Sequence, residues 1–170
     1  IDDAVGDLVE TLKASGQYDN TVIVFNSEHG DYMGDFNMLL KGAWALDAIN
    51  RVPLIWSDPC SRTARSTGAL TSTVDISATI LDRAGMAPYH GMQGRSALPC
   101  VMEDGTGRES LLIEYNDGMR RMGFEAPARV RSVVTQDWQL SVYRDQDWGE
   151  MYDRRADPLQ TRNLWDSPSH

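Results

Sequence analysis

Cysteine is scarce in this 170-residue chain, and so is positive charge. The two cysteines, Cys60 and Cys100, stand far apart with no CxxC pair, which argues against a disulfide framework and a cysteine zinc site. Sixteen Lys and Arg face 25 Asp and Glu, giving a net charge of -9 and a pI near 4.7. Nucleic acid and anionic membrane surfaces are therefore poor partners, and an anionic substrate would need a locally positive pocket. No apolar run approaches the roughly 20 residues that cross a bilayer. The opening residues Ile1-Asp2-Asp3 lack the basic flank and apolar stretch of a signal peptide. Internal repeats and low-complexity tracts are also missing. What remains, 41% hydrophobic residues with 14 Gly and 7 Pro, is the composition of a globular unit rather than a disordered or fibrous chain.

The first pattern is helical: Ile1, Val5, Leu8, Val9 and Leu12 share one face, and Gly16 is placed to stop the helix in a left-handed cap. Globular domains rarely start on a formed amphipathic helix, so the sequence reads as the downstream part of something longer. Residues 21–25, an unbroken β-branched and aromatic run, predict a strand buried on both faces of a parallel sheet, and residues 52–56 predict a second, with Pro53 near its edge. Residues 58–67 read as a surface loop. Thr73 is expected to cap a helix whose apolar face is Ile76, Ile80, Leu81 and Ala84 and which Gly85 ends. Strand, helix, strand, helix is the order of an α/β domain.

From about Gly105 the pattern changes to strands at 111–115, 128–135 and 138–143, the last two joined by Gln136-Asp137 as a hairpin. Their alternation implies an antiparallel sheet with one wet face. Residues 159–165, after Asp157-Pro158, read as a short helix. The expected organisation is an α/β core over 1–104, a parallel sheet between helices, followed over 105–170 by a small antiparallel sheet with a short helix.

Chemistry is expected where β-strands end, outside their carboxyl ends. There the first strand delivers Ser27-Glu28-His29-Gly30-Asp31. A carboxylate beside an imidazole offers an oxygen and a nitrogen to a cation, or a proton-transfer pair to a substrate. The same residues also suit a polar turn in which His29 simply hydrogen-bonds to backbone. Lys41 reads either as a solvated lysine or as a point charge facing an anion.

Residues 19–31 (DNTVIVFNSEHGD), Met33-Gly34-Asp35, Lys41-Gly42 and residues 51–56 (RVPLIW) follow one another in the order and spacing of the downstream half of the sulfatase family. The resemblance continues through Val74-Asp75-Ile76, Leu81-Asp82, Ala84-Gly85 and Gln93-Gly94-Arg95-Ser96 to Gly149-Glu150-Met151-Tyr152-Asp153, Asp157-Pro158 and Asn163-Leu164, nearly the whole chain. It implies a hydrolase of the alkaline-phosphatase-like superfamily that acts on sulfate esters with a divalent cation, usually calcium, and a cysteine or serine converted to formylglycine. In that family the nucleophile lies in the N-terminal half, which has no counterpart here. Glu28 and His29 match the family's downstream cation ligands, and Lys41 its substrate-contacting catalytic lysine. The implied partners are an anionic sulfate ester and the missing N-terminal half, with self-association expected when that half is absent.

Two look-alikes do not fit the family pattern. Cys60 to Arg65 mimics the nucleophile motif, but its arginines are at the wrong offsets and no Pro follows Cys60. Asp2-Asp3 opens a helix, where acids favour the macrodipole, and is a poor match for the family's upstream acidic pair. Three further positions depart from the pattern: Glu28 stands where the family usually has Asp, Phe36 where many members have His, and Ala45 where close relatives have His. One extra methylene moves a carboxylate within a site whose oxygens lie about 2.3–2.6 Å from calcium, and lost imidazoles remove acids that protonate a leaving oxygen. Alternatives are therefore a phosphonate monoester or phosphodiester hydrolase of the same superfamily, or a non-catalytic binding module.

Overall fold

The computed structural model describes residues 1–120 and 123–169. Helix α1 (Asp2–Ala14) carries Asp2 and Asp3 in its first turn and Lys13 in its last, each sign at the helix end that favours it. It stops at Gly16, whose φ of +67° only glycine adopts freely. None of its residues is buried; Val5, Val9 and Leu12 are half-covered.

Strands β1 (Ile23–Asn26) and β2 (Leu54–Ser57) form a two-stranded sheet, with Ile23 opposite Ser57 and Asn26 opposite Leu54. They run antiparallel, which corrects the expected parallel pairing, and they are half-exposed rather than buried on both faces. A parallel return needs a long crossover, usually a full helix. The only α-helix between these strands is the one-turn α2 (Asp47–Asn50). An unbroken apolar run shows that a strand is covered, not which way its neighbour runs.

After β2 the chain forms the expected loop, pinned by Asp58, which is fully buried. Its carboxylate accepts from Arg83 Nε (2.5 Å) and Nη2 (2.9 Å), from the Trp56 indole (3.3 Å) and from the Cys60 amide (2.9 Å). The Arg83 bonds above all hold its carboxyl well below the usual carboxylate range. Helix α3 (Asp75–Arg83) begins two residues past Thr73 and has no side-chain N-cap. Its buried face is Asp75, Ala78 and Thr79, whereas Ile80 is 48% exposed, so the anticipated apolar face and Thr73 cap are both corrected. The reason is Asp75: its carboxylate takes the Ser72 and Arg95 amides and the Arg108 guanidinium, turning that side of the helix inward. Burial pushes the Asp75 carboxyl up, but these donors outweigh it and leave it lowered. Gly85 ends the helix with φ +70°, as the sequence indicates, and a short α4 (Leu98–Met102) follows.

The remainder is a meander of β3 (Leu111–Asn116), β4 (Arg129–Val134), β5 (Trp138–Tyr143) and β6 (Gly149–Asp153), antiparallel throughout in the order β3-β4-β5-β6. The hairpin at Gln136-Asp137 is present, closed by the Thr135 amide on the Trp138 carbonyl at 2.8 Å. Alternation does what the pattern requires: Val130, Ser132, Val134, Gln139, Ser141 and Tyr143 face inward. Across the outer face Leu112, Val133, Leu140 and Met151 stand directly opposite one another in register.

Residues 159–165 form turns, not the anticipated helix. Asp157 takes the Arg162 amide (2.7 Å) and the Thr161 hydroxyl (3.0 Å), Asn163 Oδ1 takes the Met151 and Trp165 amides, and Gln160 sits at φ +56°. Asp and Asn side chains that bond nearby backbone draw it out of the helix. Among the described residues, no helix is long and apolar enough to cross a membrane.

Two apolar clusters join the meander to the loop between β1 and β2. In one, Trp44 sits among Phe124, Tyr143 and Trp148, with ring centroids 5.2–5.7 Å away. In the other, Tyr32, Leu46 and Ile49 pack on Tyr152.

Candidate functional site

At the carboxyl end of β1 the backbone turns, and Ser27 fixes the turn by donating its hydroxyl to the His29 carbonyl at 2.8 Å. Gly30 follows because nothing larger fits: a Cβ there would overlap the Ala48 carbonyl, and the Gly30 amide bonds Ile49 O at 2.7 Å. The turn that carries His29 therefore rests on α2 through Gly30.

The loop from Tyr32 to Lys41 is coiled by its own backbone. The Tyr32 amide reaches Leu40 O at 2.9 Å, and Met33, Phe36, Asn37 and Leu40 all have positive φ. Non-glycine residues in that region are uncommon and cluster where surrounding structure holds a segment in one shape. The clamp is Tyr32, fully buried, whose hydroxyl donates to Trp44 O at 2.8 Å. Burial raises its phenol pKa well above the ordinary value.

This loop brings Lys41 back over His29. Lys41 Nζ lies 2.6 Å from His29 Nε2, and Glu28 Oε1 is 3.5 Å from the same nitrogen. His29 Nδ1 is 2.6 Å from Gly30 O, and since a carbonyl only accepts, Nδ1 carries the proton. In the neutral ring that leaves a bare lone pair on Nε2, toward which the Lys41 ammonium donates. Thus the three residues singled out in the sequence, separated by up to 13 positions, converge. The polar-turn possibility is also realised, in that His29 does bond to backbone, but with only one of its two nitrogens.

Glu28 is exposed, with 82% of its side chain open. Its carboxyl lies below the usual range, mainly through a hydrogen bond from its own amide, then through the neighbouring His29 ring, with Ser27 and Lys41 adding less. An ionised carboxylate beside an imidazole nitrogen is a donor pair suited to a divalent cation, and the Nδ1–carbonyl bond is the kind of support that orients a ligating ring. The pair is incomplete: calcium takes six to eight ligands, mostly oxygen, and among the described residues no three His, Cys, Asp or Glu side chains come together as a metal site.

The other sequence candidates lie apart from this cluster. Cys60 is exposed in the loop after β2, with its sulfur 3.2 Å from Arg83 Nη2. Asp2 and Asp3 open α1. Phe36 is 46% exposed in the coiled loop, and Ala45 is buried. Sequence reading missed Tyr32, the packing of Gly30 on α2 and the glutamines behind Ala45, since these depend on contacts the primary order does not display.

Residues 37–170 match the family model described as N-sulphoglucosamine sulphohydrolase, C-terminal. An N-acetylglucosamine-6-O-sulfatase of Bacteroides thetaiotaomicron is 32% identical over 176 residues, covering 97% of this chain and 30% of that protein. A structure solved in complex with its substrate D-glucosamine-2-N,6-O-disulfate is similar at TM-score 0.81 and 28% identity, over 99% of this chain and 34% of its own. The phosphonate monoester hydrolase of Agrobacterium radiobacter is similar at TM-score 0.81 and 25% identity, over 96% and 34%. The chain spans about a third of the length of the curated relatives it matches.

Proposed function

The chain belongs to the sulfatase family of the alkaline-phosphatase-like superfamily, and we propose that it is the C-terminal portion of a hydrolase of sulfate esters. The observation that carries this reading is the meeting of Glu28, His29 and Lys41 at the end of β1, in a chain whose relatives include named sulfatases. In the proposal Glu28 and His29 hold part of the shell of a divalent cation, calcium by family resemblance, which when bound supplies Lewis acidity toward the sulfate oxygens. Lys41 offsets negative charge on the ester as a positioned ammonium. The formylglycine nucleophile and the remaining ligands belong, in this reading, to an upstream segment. The same segment would extend the two-stranded β1–β2 sheet, which is too small to be stable by itself.

The relatives' named substrates make a sulfated amino sugar the ester class to try first. Similarity to a phosphonate monoester hydrolase keeps the neighbouring reaction in view, because sulfate and phosphonate esters present similar anionic oxygens. The experiment is expression of this chain joined to its upstream coding sequence. Glucosamine 6-O-sulfate, an aryl sulfate and an aryl phosphonate would be assayed side by side. Sulfate release lost in Lys41→Ala supports the reading, preferential phosphonate cleavage favours the alternative, and an upstream sequence without a CxPxR or SxPxR motif favours a binding module.

A further inference from the structure

Two glutamines of the C-terminal region are almost completely buried: Gln139 on β5 at 1% exposure and Gln160 at 3%. Buried amides are costly unless fully bonded, so their partners are informative. Gln139 Nε2 donates to the Ala45 carbonyl, Gln139 Oε1 accepts from Gln160 Nε2 at 3.0 Å, and Gln160 Oε1 accepts from the Asp47 amide at 2.6 Å. The chain of bonds fixes both amide orientations, because a carbonyl can only accept and an N–H only donate.

Together the two side chains grip a backbone C=O and a backbone N–H two residues apart, much as a neighbouring strand would. The gripped segment serves both halves of the candidate site. Toward the N-terminus it leads through Trp44, whose carbonyl is held by Tyr32, to Lys41. Toward the C-terminus it becomes α2, whose Ile49 carbonyl takes the Gly30 amide beside His29. Arg154 adds a second tie, its Nη2 reaching Asp47 Oδ2 at 3.2 Å while Nη1 donates to Thr135 O at 2.7 Å. Apolar packing could fill this volume, but it would not fix the directions of the Ala45 carbonyl and the Asp47 amide.

We propose that Gln139 and Gln160 are positioning residues that carry the rigidity of the C-terminal sheet into the loop, holding Lys41 against His29 Nε2. This rests on the reading that Glu28, His29 and Lys41 are the working site. The pair touches no substrate and acts only through the backbone of 45–47.

Nitrogen NMR of the metal-free protein, this chain joined to its upstream segment, tests the proposal without any turnover. Gln160→Ala removes both of that residue's side-chain bonds. The expected result is about ten-fold faster exchange of the Gly30 amide and loss of the single Nδ1-protonated His29 pattern, with exchange at Val130, Ser132 and Ser141 unchanged. A general loss of protection across the sheet with His29 unaltered marks a merely structural role and overturns the proposal, as does no change at either site. Should Gln160→Ala not fold, Gln160→Glu keeps the acceptor for the Asp47 amide while losing the amide donor to Gln139. A smaller His29 change of the same kind is expected there, and a parental His29 pattern overturns the idea. Failure of the sulfate-ester reading would appear in the hydrolysis assay and leave these NMR results standing.

Discussion

Lys41 Nζ sits 2.6 Å from His29 Nε2, occupying the lone pair that a bound cation would take from that ring. The two uses of Nε2 exclude each other. Under the proposed function, His29 could ligate a cation only if the ammonium moved off, and the displaced ammonium would then be free to meet a sulfate ester. Glu28 Oε1 lies 3.5 Å from the same nitrogen, so variants of Glu28 and Lys41 probe the two proposed roles separately.

The first prediction follows. In the protein restored with its upstream segment, Glu28→Ala weakens calcium binding and turnover together, by at least the roughly ten-fold seen when a ligand's supporting partner is lost. Lys41→Ala lowers turnover while leaving calcium affinity equal or slightly higher, since a competitor for Nε2 is gone. Calorimetry with calcium on both variants decides it, and an unaltered calcium affinity in Glu28→Ala removes that carboxylate from the ligand set.

The 170-residue chain by itself should hydrolyse no aryl sulfate or aryl phosphate above buffer, because it carries no recognised nucleophile. Cys60 is the control. It is exposed and in contact with Arg83, so a metal-dependent turnover abolished by Cys60→Ala would return the nucleophile to this chain.

Much of this was legible in the primary structure, and the limits have physical causes. The strand at 21–25, the polar cluster at its end, the helix-stopping glycines and the alternation of β4 and β5 are local patterns, and local patterns survive in sequence. Strand direction does not, which is why β1 and β2 paired contrary to expectation. The helix expected at 159–165 lost to Asp157 and Asn163, whose side chains capture backbone amides. Strand β6 was not anticipated, because Gly149 to Asp153 is short and lacks clean alternation. The motif drew attention to Glu28, His29 and Lys41, which the fold brings together, but Gln160 stands 113 residues from the Asp47 amide it holds, and no spacing rule reaches that far.

Gly30 gives a sharper test of the site's foundation. Gly30→Ala forces a methyl group into the Ala48 carbonyl, so α2 or the β1 turn must shift. Overpacking of this kind destabilises by about 1–3 kcal/mol. Urea unfolding should show that loss, with the His29 ring resonances displaced. Unchanged stability and ring shifts would mean that the β1 turn does not rest on α2.

Both strands of the β1–β2 sheet have one unpaired edge, and Leu112, Val133 and Leu140 are 62%, 43% and 42% exposed on the outer face of the meander. Unpaired edges and contiguous apolar surface invite association. Sedimentation of the isolated chain should show mass rising with concentration, and co-expression with the upstream segment should suppress it. A single monomeric boundary at every concentration would count against this.

Asp58 gives the chain one source of acid sensitivity. Its carboxylate is fully buried and bonded by Arg83, Trp56 and the Cys60 amide, so its folded pKa lies below the ordinary value of 3.8. A carboxyl whose pKa is lowered by folding stabilises the native state fully above the unfolded value, and that contribution is lost as pH falls through the folded one. Breaking a buried ion pair on one side costs about 3–5 kcal/mol, and because the Arg83 side chain is 32% exposed and regains water, the lower end applies. Asp58→Asn should therefore unfold at lower urea than the parent by an amount constant from neutral pH down to about pH 5. The gap should narrow below about pH 4, as the Asp58 carboxyl of the unfolded parent begins to take up a proton that the folded carboxylate still refuses. Urea midpoints of both proteins between neutral pH and pH 3 measure it. A difference that stays constant to pH 3 would show that the loop after β2 depends on the shape of the Asp58 side chain rather than on its charge.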